Sequence, residues 1–234
     1  MKEKLPSRGK MGVGILASGE GTTAERLIED AIEKDLSYVP TVVVSNNLDA
    51  GVLEKAAQAS DKYHLPIARY CINKHMYPAQ FPHQDPYTQT HEESQKIVDV
   101  MMQHRVEVVL LLGYMRKVAG PLLGTYGWKH HMPVMAAGMF NTHPGLLPQT
   151  AGMYGISLQQ YVIDQGMTEA GQTLHAVSER YDDTRLAITH HTTEVRRGET
   201  ADELHARVQE LEKKHLALDV DAIVRWKQYH TEFT

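Results

Sequence analysis

The chain has 234 residues, 42% of them hydrophobic, and a formal net charge of −5, which are ordinary values for a soluble protein of one α/β domain. Acidic and basic residues are well mixed without a basic stripe, so a nucleic-acid partner is not expected. No apolar run approaches the roughly 18 residues of a membrane span, so no membrane partner is expected either. Cys71 is the single cysteine, which excludes an internal disulfide framework and favours a cytoplasmic location.

Apolar and amphipathic segments alternate through the first half of the chain. Short apolar or β-branched runs predict strands over residues 11–18, 39–45, 66–71 and 107–113. Apolar residues at helical spacing predict helices after residue 22 and over residues 50–60 and 91–104. The proline-rich segment 72–88 is predicted to be a loop. This alternation of strands and helices indicates a parallel sheet with helices on both faces.

The second half of the chain is less regular. Its apolar runs predict strands over residues 134–141, 173–178 and 186–195. Helical patterns cover residues 158–164 and 200–228. No internal repeat, low-complexity tract or linker divides the chain. We therefore predict a single domain over residues 1–234, with residues 1–10 as a flexible N-terminal extension.

A glycine loop follows the first predicted strand. Gly19 and Gly21 allow backbone amides to approach an anion, and Thr22 and Thr23 add hydroxyl donors at the start of the next helix. The second strand closes with residues 45–47, Ser-Asn-Asn, without the acidic residue that holds a dinucleotide ribose, which counts against NAD or NADP. The loop is therefore interpreted as a phosphate site, and a tight turn that merely needs glycine is the alternative.

The segment 140–148, Phe-Asn-Thr-His-Pro-Gly-Leu-Leu-Pro, is the most informative stretch. Asn141 and His143 share one side of an extended chain, so an amide and an imidazole converge on one point. The amide can donate to a carbonyl oxygen that gains negative charge, and the imidazole can add a donor or move a proton. A histidine that only caps a loop is the structural alternative.

Several segments in the same order resemble the 10-formyltetrahydrofolate-dependent formyltransferases. Asn-x-His-Pro-x-Leu-Leu-Pro at 141–148 is similar to the signature of that family, and Gly-Tyr-Met-Arg at 113–116 is similar to its pterin-pocket segment. The segments 16–22 and 43–46 resemble the phosphate loop and second strand of the members that act on glycinamide ribonucleotide. The resemblance implies a single-domain Rossmann-like α/β fold with a mostly parallel central sheet and helices on both faces. It further implies a phosphate-binding half at about 11–113 and a folate-binding, catalytic half at about 114–234.

The resemblance also implies roles for individual residues. Residues 175–182, His-Ala-Val-Ser-Glu-Arg-Tyr-Asp, have the form of the family strand that leads to its catalytic aspartate. The implied catalytic residues are Asn141, His143 and Asp182. The implied substrate-binding residues are Gly19, Gly21, Thr22, Thr23, Pro144, Gln209 and Glu212. The implied folate-binding residues are Met115, Arg116, Lys117, Val118, Asn141, Ser178, Glu179, Tyr181 and Asp182. No metal site is implied.

The activity implied by the resemblance is transfer of a formyl group from 10-formyltetrahydrofolate to the amine of glycinamide ribonucleotide, in purine biosynthesis. The expected partners are these two small molecules, and the resemblance leaves a homodimer open. Glu20, Asp183 and the segment 149–154 depart from the family pattern, and they concern the acceptor. Another phosphorylated or nucleotide-linked amine, hydrolysis of formyltetrahydrofolate, and a non-catalytic nucleotide-binding module are the alternatives.

Overall fold

A seven-stranded sheet forms the frame of the computed structural model, which describes residues 9–78 and 85–231. Its strands are β1 (Met11–Leu16), β2 (Tyr38–Ser45), β3 (Ala68–Cys71), β4 (Val106–Leu111), β5 (Met139–His143), β6 (Glu169–Ala176) and β7 (Ala187–Glu194). Their order is β3-β2-β1-β4-β5-β6-β7. The first five strands are parallel, and β6 runs antiparallel to both of its neighbours. Most of the expected N-terminal extension, residues 1–8, lies outside the described residues.

Helices cover both faces of this sheet. They are α1 (Thr22–Glu33), α2 (Gly51–Tyr63), α3 (His91–Gln103), α4 (Gly120–Tyr126), α5 (Gly155–Asp164) and α6 (Ala201–Tyr229). Helices α1, α2 and α6 share one buried apolar cluster, α3 and α4 share a second, and α5 packs with α6 in a third. All six residues of β1 are buried, as expected for a strand covered on both faces. The predicted α/β fold with a mostly parallel sheet is confirmed.

Two of the helices begin with reciprocal caps that the sequence specifies. Thr90 accepts from the amide of Glu93 at 2.9 Å, and the Glu93 side chain returns to the amide of Thr90. Thr200 and Glu203 repeat this arrangement at the start of α6. Each pair satisfies two amides that have no acceptor inside the helix. Both helices therefore begin at a defined residue.

The prediction was wrong at two places around the middle of the chain. The segment Val134–Ala136 forms a 3₁₀ turn instead of a strand, and pairing with β4 begins only at Met139. Lys227 from α6 donates to the carbonyl of Ala136 at 2.9 Å, so a tertiary contact closes this turn. The short helix α4 was not predicted because its sequence contains two glycines and a proline. Pro121 lies in the first turn, where a missing amide costs no hydrogen bond.

The order of the strands creates a crevice at one edge of the sheet. The chain leaves β1 and β4 toward opposite sides, because β1 leads to β2 and β4 leads to β5. Open α/β sheets bind ligands at this point, beyond the carboxyl ends of the strands. The glycine loop after β1 and the Asn-x-His segment in β5 both lie at this edge. Among the described residues, no helix combines the length and apolar character that crossing a bilayer requires.

Candidate active site

A cavity of about 350 Å³ lies at the carboxyl ends of β1, β4 and β5. It brings together the glycine loop, the segment after β4, the end of β5 and one face of α6. The sequence-predicted residues that line it are Gly19, Gly21, Thr22, Thr23, Met115, Asn141, His143, Pro144, Tyr181, Gln209 and Glu212. Residues far apart in the sequence therefore share one site.

The glycine loop places the start of α1 at this cavity. Gly21 has a φ of 71°, in the left-handed region, and a Cβ there would lie 2.4 Å from the Cβ of Val52. Glycine is therefore required by both the backbone and the close approach of α2. The amides in the first turn of α1 have no acceptor within the helix, and they add partial positive charge. This geometry suits a phosphate group.

Glu20 departs from the family pattern inside this loop, and its position explains how the charge is tolerated. A Cβ on Gly51 would lie only 2.8 Å from Oε2 of Glu20, so the carboxylate rests against the first residue of α2. Ala50 supplies no side-chain cap to that helix. The positive end of α2 therefore offsets the charge of Glu20.

The structure brings Asn141, His143 and Asp182 together. Asn141 and His143 lie on the same side of β5, and Asp182 follows β6 with a φ of 47°. Nδ1 of His143 lies 3.6 Å from Oδ2 of Asp182, and Nε2 lies 2.9 Å from Oγ1 of Thr150. The amide of Gly152 donates to Oδ2 of Asp182 at 2.8 Å. His143 is thus held between a carboxylate and a hydroxyl.

His175 belongs to this cluster, although the sequence analysis gave it no role. It pairs directly with Asn141 across β5 and β6, and its Nε2 lies 3.0 Å from Nδ2 of Asn141. Its Nδ1 lies 3.0 Å from the carbonyl of Ala176, which can only accept a hydrogen bond. A hydrogen on Nδ1 of His175 can therefore be donated to this carbonyl, and Nε2 also lies 3.5 Å from Oδ1 of Asp182. The segment that leads to Asp182 begins at His175, but the pairing of His175 with Asn141 follows only from the register of β5 and β6.

Burial and charge act in opposite directions on the central pair. Burial opposes ionisation of Asp182, but His175, His143 and the Gly152 amide outweigh it and hold the pKa of Asp182 below its usual value. Burial lowers the pKa of His143, and the neighbouring carboxylate of Asp182 offsets this only in part. The favoured state near neutral pH is therefore an ionised Asp182 beside a neutral His143.

Glu212 and Gln209 lie on the face of α6 that borders the cavity. Burial raises the pKa of Glu212 to about 7, while contacts with Thr23 and Thr142 oppose the rise. Nε2 of Gln209 lies 3.1 Å from Nε2 of His205, one turn earlier on α6. His205 also lines the cavity, and the sequence analysis did not identify it. Its spacing of four residues from Gln209 is the signal that places both on one face.

The residues assigned to folate binding occupy three different places. Met115 and Tyr181 are 56% and 58% exposed and lie at the cavity described above. Arg116 instead forms a buried ion pair with Glu93 at 2.7 Å, and its guanidinium also donates to the carbonyls of Pro86 and Thr88. The Arg116 side chain therefore lies away from this cavity, and its assignment to folate binding stays a prediction.

Lys117 and Val118, like Arg116, make contacts within the protein away from the cavity. The amide of Lys117 donates to the carbonyl of Tyr87 at 2.8 Å, and Val118 packs in the cluster beneath α3 and α4. Neither residue lines the cavity at β1, β4 and β5 or the cavity beside residues 178–185. The resemblance implied that these residues line the folate pocket. In the structure they connect the segment after β4 to the residues before α3 and to the core beneath it.

Ser178 and Glu179 line a second cavity of about 580 Å³ on the other side of the loop that carries Asp182. Leu123 and Trp128 contribute apolar surface to it. Asp183, the second departure from the family pattern, caps the 3₁₀ turn Thr184–Leu186 and pairs with Arg185 at 2.6 Å. The carboxylate of Asp183 is thus neutralised locally.

Fold and site together define a Rossmann-like α/β protein whose glycine loop adjoins a cluster of Asn141, His143 and Asp182. Among the described residues, no group of three or more His, Cys, Asp or Glu side chains could hold a metal ion. The family model described as formyl transferase matches residues 11–220. The chain belongs to this family.

Curated relatives and solved structures agree with this assignment. The chain is 28% identical over 206 residues to the human trifunctional purine biosynthetic protein adenosine-3. The aligned region covers 88% of this chain but only 17% of the human protein. It is 26% identical to the phosphoribosylglycinamide formyltransferase of Bacillus subtilis, over 86% of this chain and 88% of that one. A phosphoribosylglycinamide formyltransferase from Brucella melitensis superposes with a TM-score of 0.73 at 25% identity, over 92% of this chain and 96% of that one.

Proposed function

We propose that this protein transfers the formyl group of 10-formyltetrahydrofolate to the amine of 5'-phosphoribosylglycinamide, a step of purine biosynthesis. The observation that carries the proposal is that Asn141, His143 and the anion-binding start of α1 line one cavity, with Asp182 3.6 Å from His143. The relatives of similar length are named for this activity. A cytoplasmic location is part of the proposal, supported by the single cysteine of the chain.

Binding of the phosphorylated amine is assigned to the glycine loop and α6. The amides and hydroxyls of Thr22 and Thr23 hold the phosphate at the positive end of α1. Gln209 and Glu212 contact the ribose and the amine. A pKa of about 7 leaves Glu212 partly protonated at neutral pH, so it adds little repulsion toward the phosphate nearby. Pro144 closes the wall between this region and His143.

The groups at the carboxyl end of β5 are assigned to stabilising the charges that develop during formyl transfer. When the amine attacks the formyl carbon, the carbonyl oxygen gains negative charge, and the Asn141 amide is positioned to donate to it. The amine then gives up a proton, and neutral His143 is a suitable acceptor, with ionised Asp182 supporting the charge that develops on the ring. The departing folate nitrogen takes up one proton, so the transfer is balanced overall. Much of the acceleration comes from alignment of the two substrates.

The residues around Asp182 fit a flat, partly polar co-substrate. Oδ1 of Asp182 is buried, makes no hydrogen bond among the described residues and lies 3.5 Å from Nε2 of His175. Ser178 and Glu179 are assigned to the ring system, in the cavity lined by Leu123 and Trp128. Met115 and Tyr181 are assigned to the part of the molecule that carries the formyl group. The folate supplies the activated formyl group.

The test is an assay of 10-formyltetrahydrofolate consumption with 5'-phosphoribosylglycinamide and without any acceptor. Turnover that requires the acceptor supports the proposal, while equal turnover without it indicates hydrolysis. Replacing His143 with Ala should reduce kcat by about 10²–10⁴, the usual contribution of a positioned acid or base. The exposed His131, which lines neither cavity, provides a matched control, and His131→Ala should retain the wild-type kcat. A folded His143→Ala variant with undiminished kcat would contradict the assigned role.

The amine that accepts the formyl group has a second candidate. The segment 149–154 lacks the basic side chains that the family pattern leads us to expect beside the substrate. Another phosphorylated or nucleotide-linked amine would use the same glycine loop and the same Asn-His-Asp centre. Comparing kcat/KM for 5'-phosphoribosylglycinamide and for glycinamide without its phosphate tests the loop directly. Equal values for the two would exclude the phosphate site as an affinity determinant.

A further inference from the structure

We propose that Thr150 is a positioning residue that keeps a proton on Nε2 of His143 and leaves Nδ1 as the nitrogen that exchanges protons during the reaction. The catalytic part of this inference rests on the proposed function, whereas the proton position is a property of the folded chain. Thr150 lies in the loop between β5 and α5, in the segment that departs from the family pattern. The sequence analysis gave it no role.

The contacts of the Thr150 hydroxyl define its hydrogen-bond roles. Oγ1 lies 2.9 Å from Nε2 of His143 and 3.0 Å from the carbonyl of Leu146. A carbonyl oxygen can only accept, so the single hydroxyl proton of Thr150 is donated to Leu146. The oxygen of Thr150 then accepts from His143, which requires a hydrogen on Nε2. Thr150 is 1% exposed, so water does not compete for these positions.

Backbone features around Thr150 hold the hydroxyl in place. The amide of Thr150 donates to the carbonyl of Leu146 at 3.3 Å, closing a turn over the same residue that accepts the hydroxyl proton. A Cβ on Gly145 would lie 2.2 Å from Oγ1 of Thr150 and 3.0 Å from Nε2 of His143. Glycine at position 145 therefore leaves the space in which this hydrogen bond forms, and the two residues act as a pair.

The position of this proton has a chemical consequence. In neutral His143 the lone pair resides on Nδ1, the nitrogen 3.6 Å from Oδ2 of Asp182. A proton taken from the attacking amine then goes to Nδ1, where the carboxylate stabilises the imidazolium. Without the Thr150 hydroxyl, Nε2–H would be buried and unpaired, so the neutral ring would favour the hydrogen on Nδ1, facing Asp182. In that tautomer the nitrogen beside Asp182 already carries a hydrogen and has no lone pair to accept the proton.

The experiment compares Thr150→Val, which has nearly the same shape without the hydroxyl, with Thr150→Ser, which keeps it. Thr41→Val is the matched control, since the buried Thr41 hydroxyl has no hydrogen-bond partner among the described residues. Nitrogen NMR on histidine-labelled protein at pH 8 reports the tautomer, and a His143→Gln sample assigns the signal among the 14 histidines. Steady-state kinetics over pH 5–9 report the catalytic effect.

We expect wild-type, Thr150→Ser and Thr41→Val proteins to carry the neutral-ring proton of His143 on Nε2. Thr150→Val should move it to Nδ1 and lower kcat by roughly tenfold to a hundredfold, part of the contribution of positioned proton transfer. Loss of the accepting Thr150 oxygen beside Nε2 disfavours the imidazolium of His143, so the acid limb of kcat/KM should move to lower pH in Thr150→Val. A change in KM alone would contradict this assignment.

Two results would overturn the inference. One is a wild-type His143 whose neutral ring carries the proton on Nδ1. The other is a Thr150→Val protein that retains both the wild-type tautomer and the wild-type kcat. Failure of the wild-type protein to transfer formyl groups would instead count against the proposed function, because the tautomer is measured without substrate and decides the proton position by itself.

Discussion

The carboxyl group of Glu212 is 8% exposed and lies within reach of the Thr142 hydroxyl, 3.4 Å away. Its pKa of about 7 in the folded protein exceeds the ordinary value of 4.5. Between these two pH values the unfolded chain ionises Glu212 while the folded chain keeps the proton. The folded state therefore loses stability as pH rises through this window, and the loss levels off above pH 7.

Replacing Glu212 with Gln should remove this dependence. One pKa unit corresponds to about 1.4 kcal/mol, so wild type should lose on the order of 3 kcal/mol relative to the variant between pH 4.5 and 7.5. Urea unfolding at several pH values measures the difference. Glu210→Gln, an exposed neighbour on α6, should follow wild type. Parallel curves for wild type and Glu212→Gln would show that Glu212 titrates normally.

Single residues show which parts of the site can be predicted from the sequence and which cannot. The spacing of Asn141 and His143 places both on one side of a strand, so their convergence is predictable. The approach of His175 and Thr150 to the same two residues is not predictable, because it depends on the register of β5 with β6 and on a turn. Arg116 differs from these residues. It belongs to a segment that resembles the family, but in the structure its side chain forms an ion pair with Glu93.

At the scale of elements, the junction of the glycine loop with α2 is the most constrained. Replacing Gly21 with Ala adds a Cβ 2.4 Å from that of Val52 and forces a left-handed φ on a residue with a side chain. The conformational cost alone is about 1–2 kcal/mol. We expect lower stability and a raised KM for the phosphorylated amine, measured by urea unfolding and steady-state kinetics.

Two variants separate the causes of this effect. Gly19→Ala is the control for stability, since a Cβ at Gly19 would meet no atom within 4 Å. Gly21→Ala combined with Val52→Ala relieves the side-chain clash but not the backbone strain, so partial recovery of stability is expected. Full stability of Gly21→Ala alone would mean that the loop has room which the structure does not show.

The elements that the sequence predicted well have strong local signals. Strand β1 is a continuous apolar run, β4 is apolar except for Glu107, and α6 has both a capping box and an apolar stripe. Helix α4 and the segment Val134–Ala136 lack such signals, because glycine, proline and a contact from Lys227 determine their conformations. Elements with a strong apolar pattern can be predicted from the sequence, whereas the conformation of α4 and of residues 134–136 depends on local glycine and proline and on tertiary contacts.

At the scale of the whole molecule, the site draws on both halves of the chain. The glycine loop and α2 belong to residues 11–113, whereas β5, the Asp182 loop and α6 belong to residues 114–234. Alternation of strands and helices predicts the parallel part of the sheet. The antiparallel addition of β6 and β7 was not predicted, since their sequences indicate strands but not direction.

A ligand that contacts both halves should stabilise the entire fold. At a concentration 100 times its Kd, a single bound ligand adds about 2.7 kcal/mol to the free energy of unfolding. For a chain of this size we expect Tm to rise by roughly 5–11 °C with 5'-phosphoribosylglycinamide. Differential scanning calorimetry measures the shift, and glycinamide without its phosphate is the control. An equal rise with both compounds would place the binding energy outside the glycine loop.

The contact between Gly21 and Val52 also bears on how this protein can change over evolution. The amide of Val52 donates to the carbonyl of Gly19 at 3.2 Å, and Glu20 rests on Gly51, so the first turn of α2 supports the loop from outside. These contacts hold the glycine loop in the conformation seen in the structure. Substitutions at Gly51 or Val52, which touch no substrate, should therefore alter selectivity for phosphorylated acceptors, and related chains can diverge in acceptor there while Asn141, His143 and Asp182 stay the same.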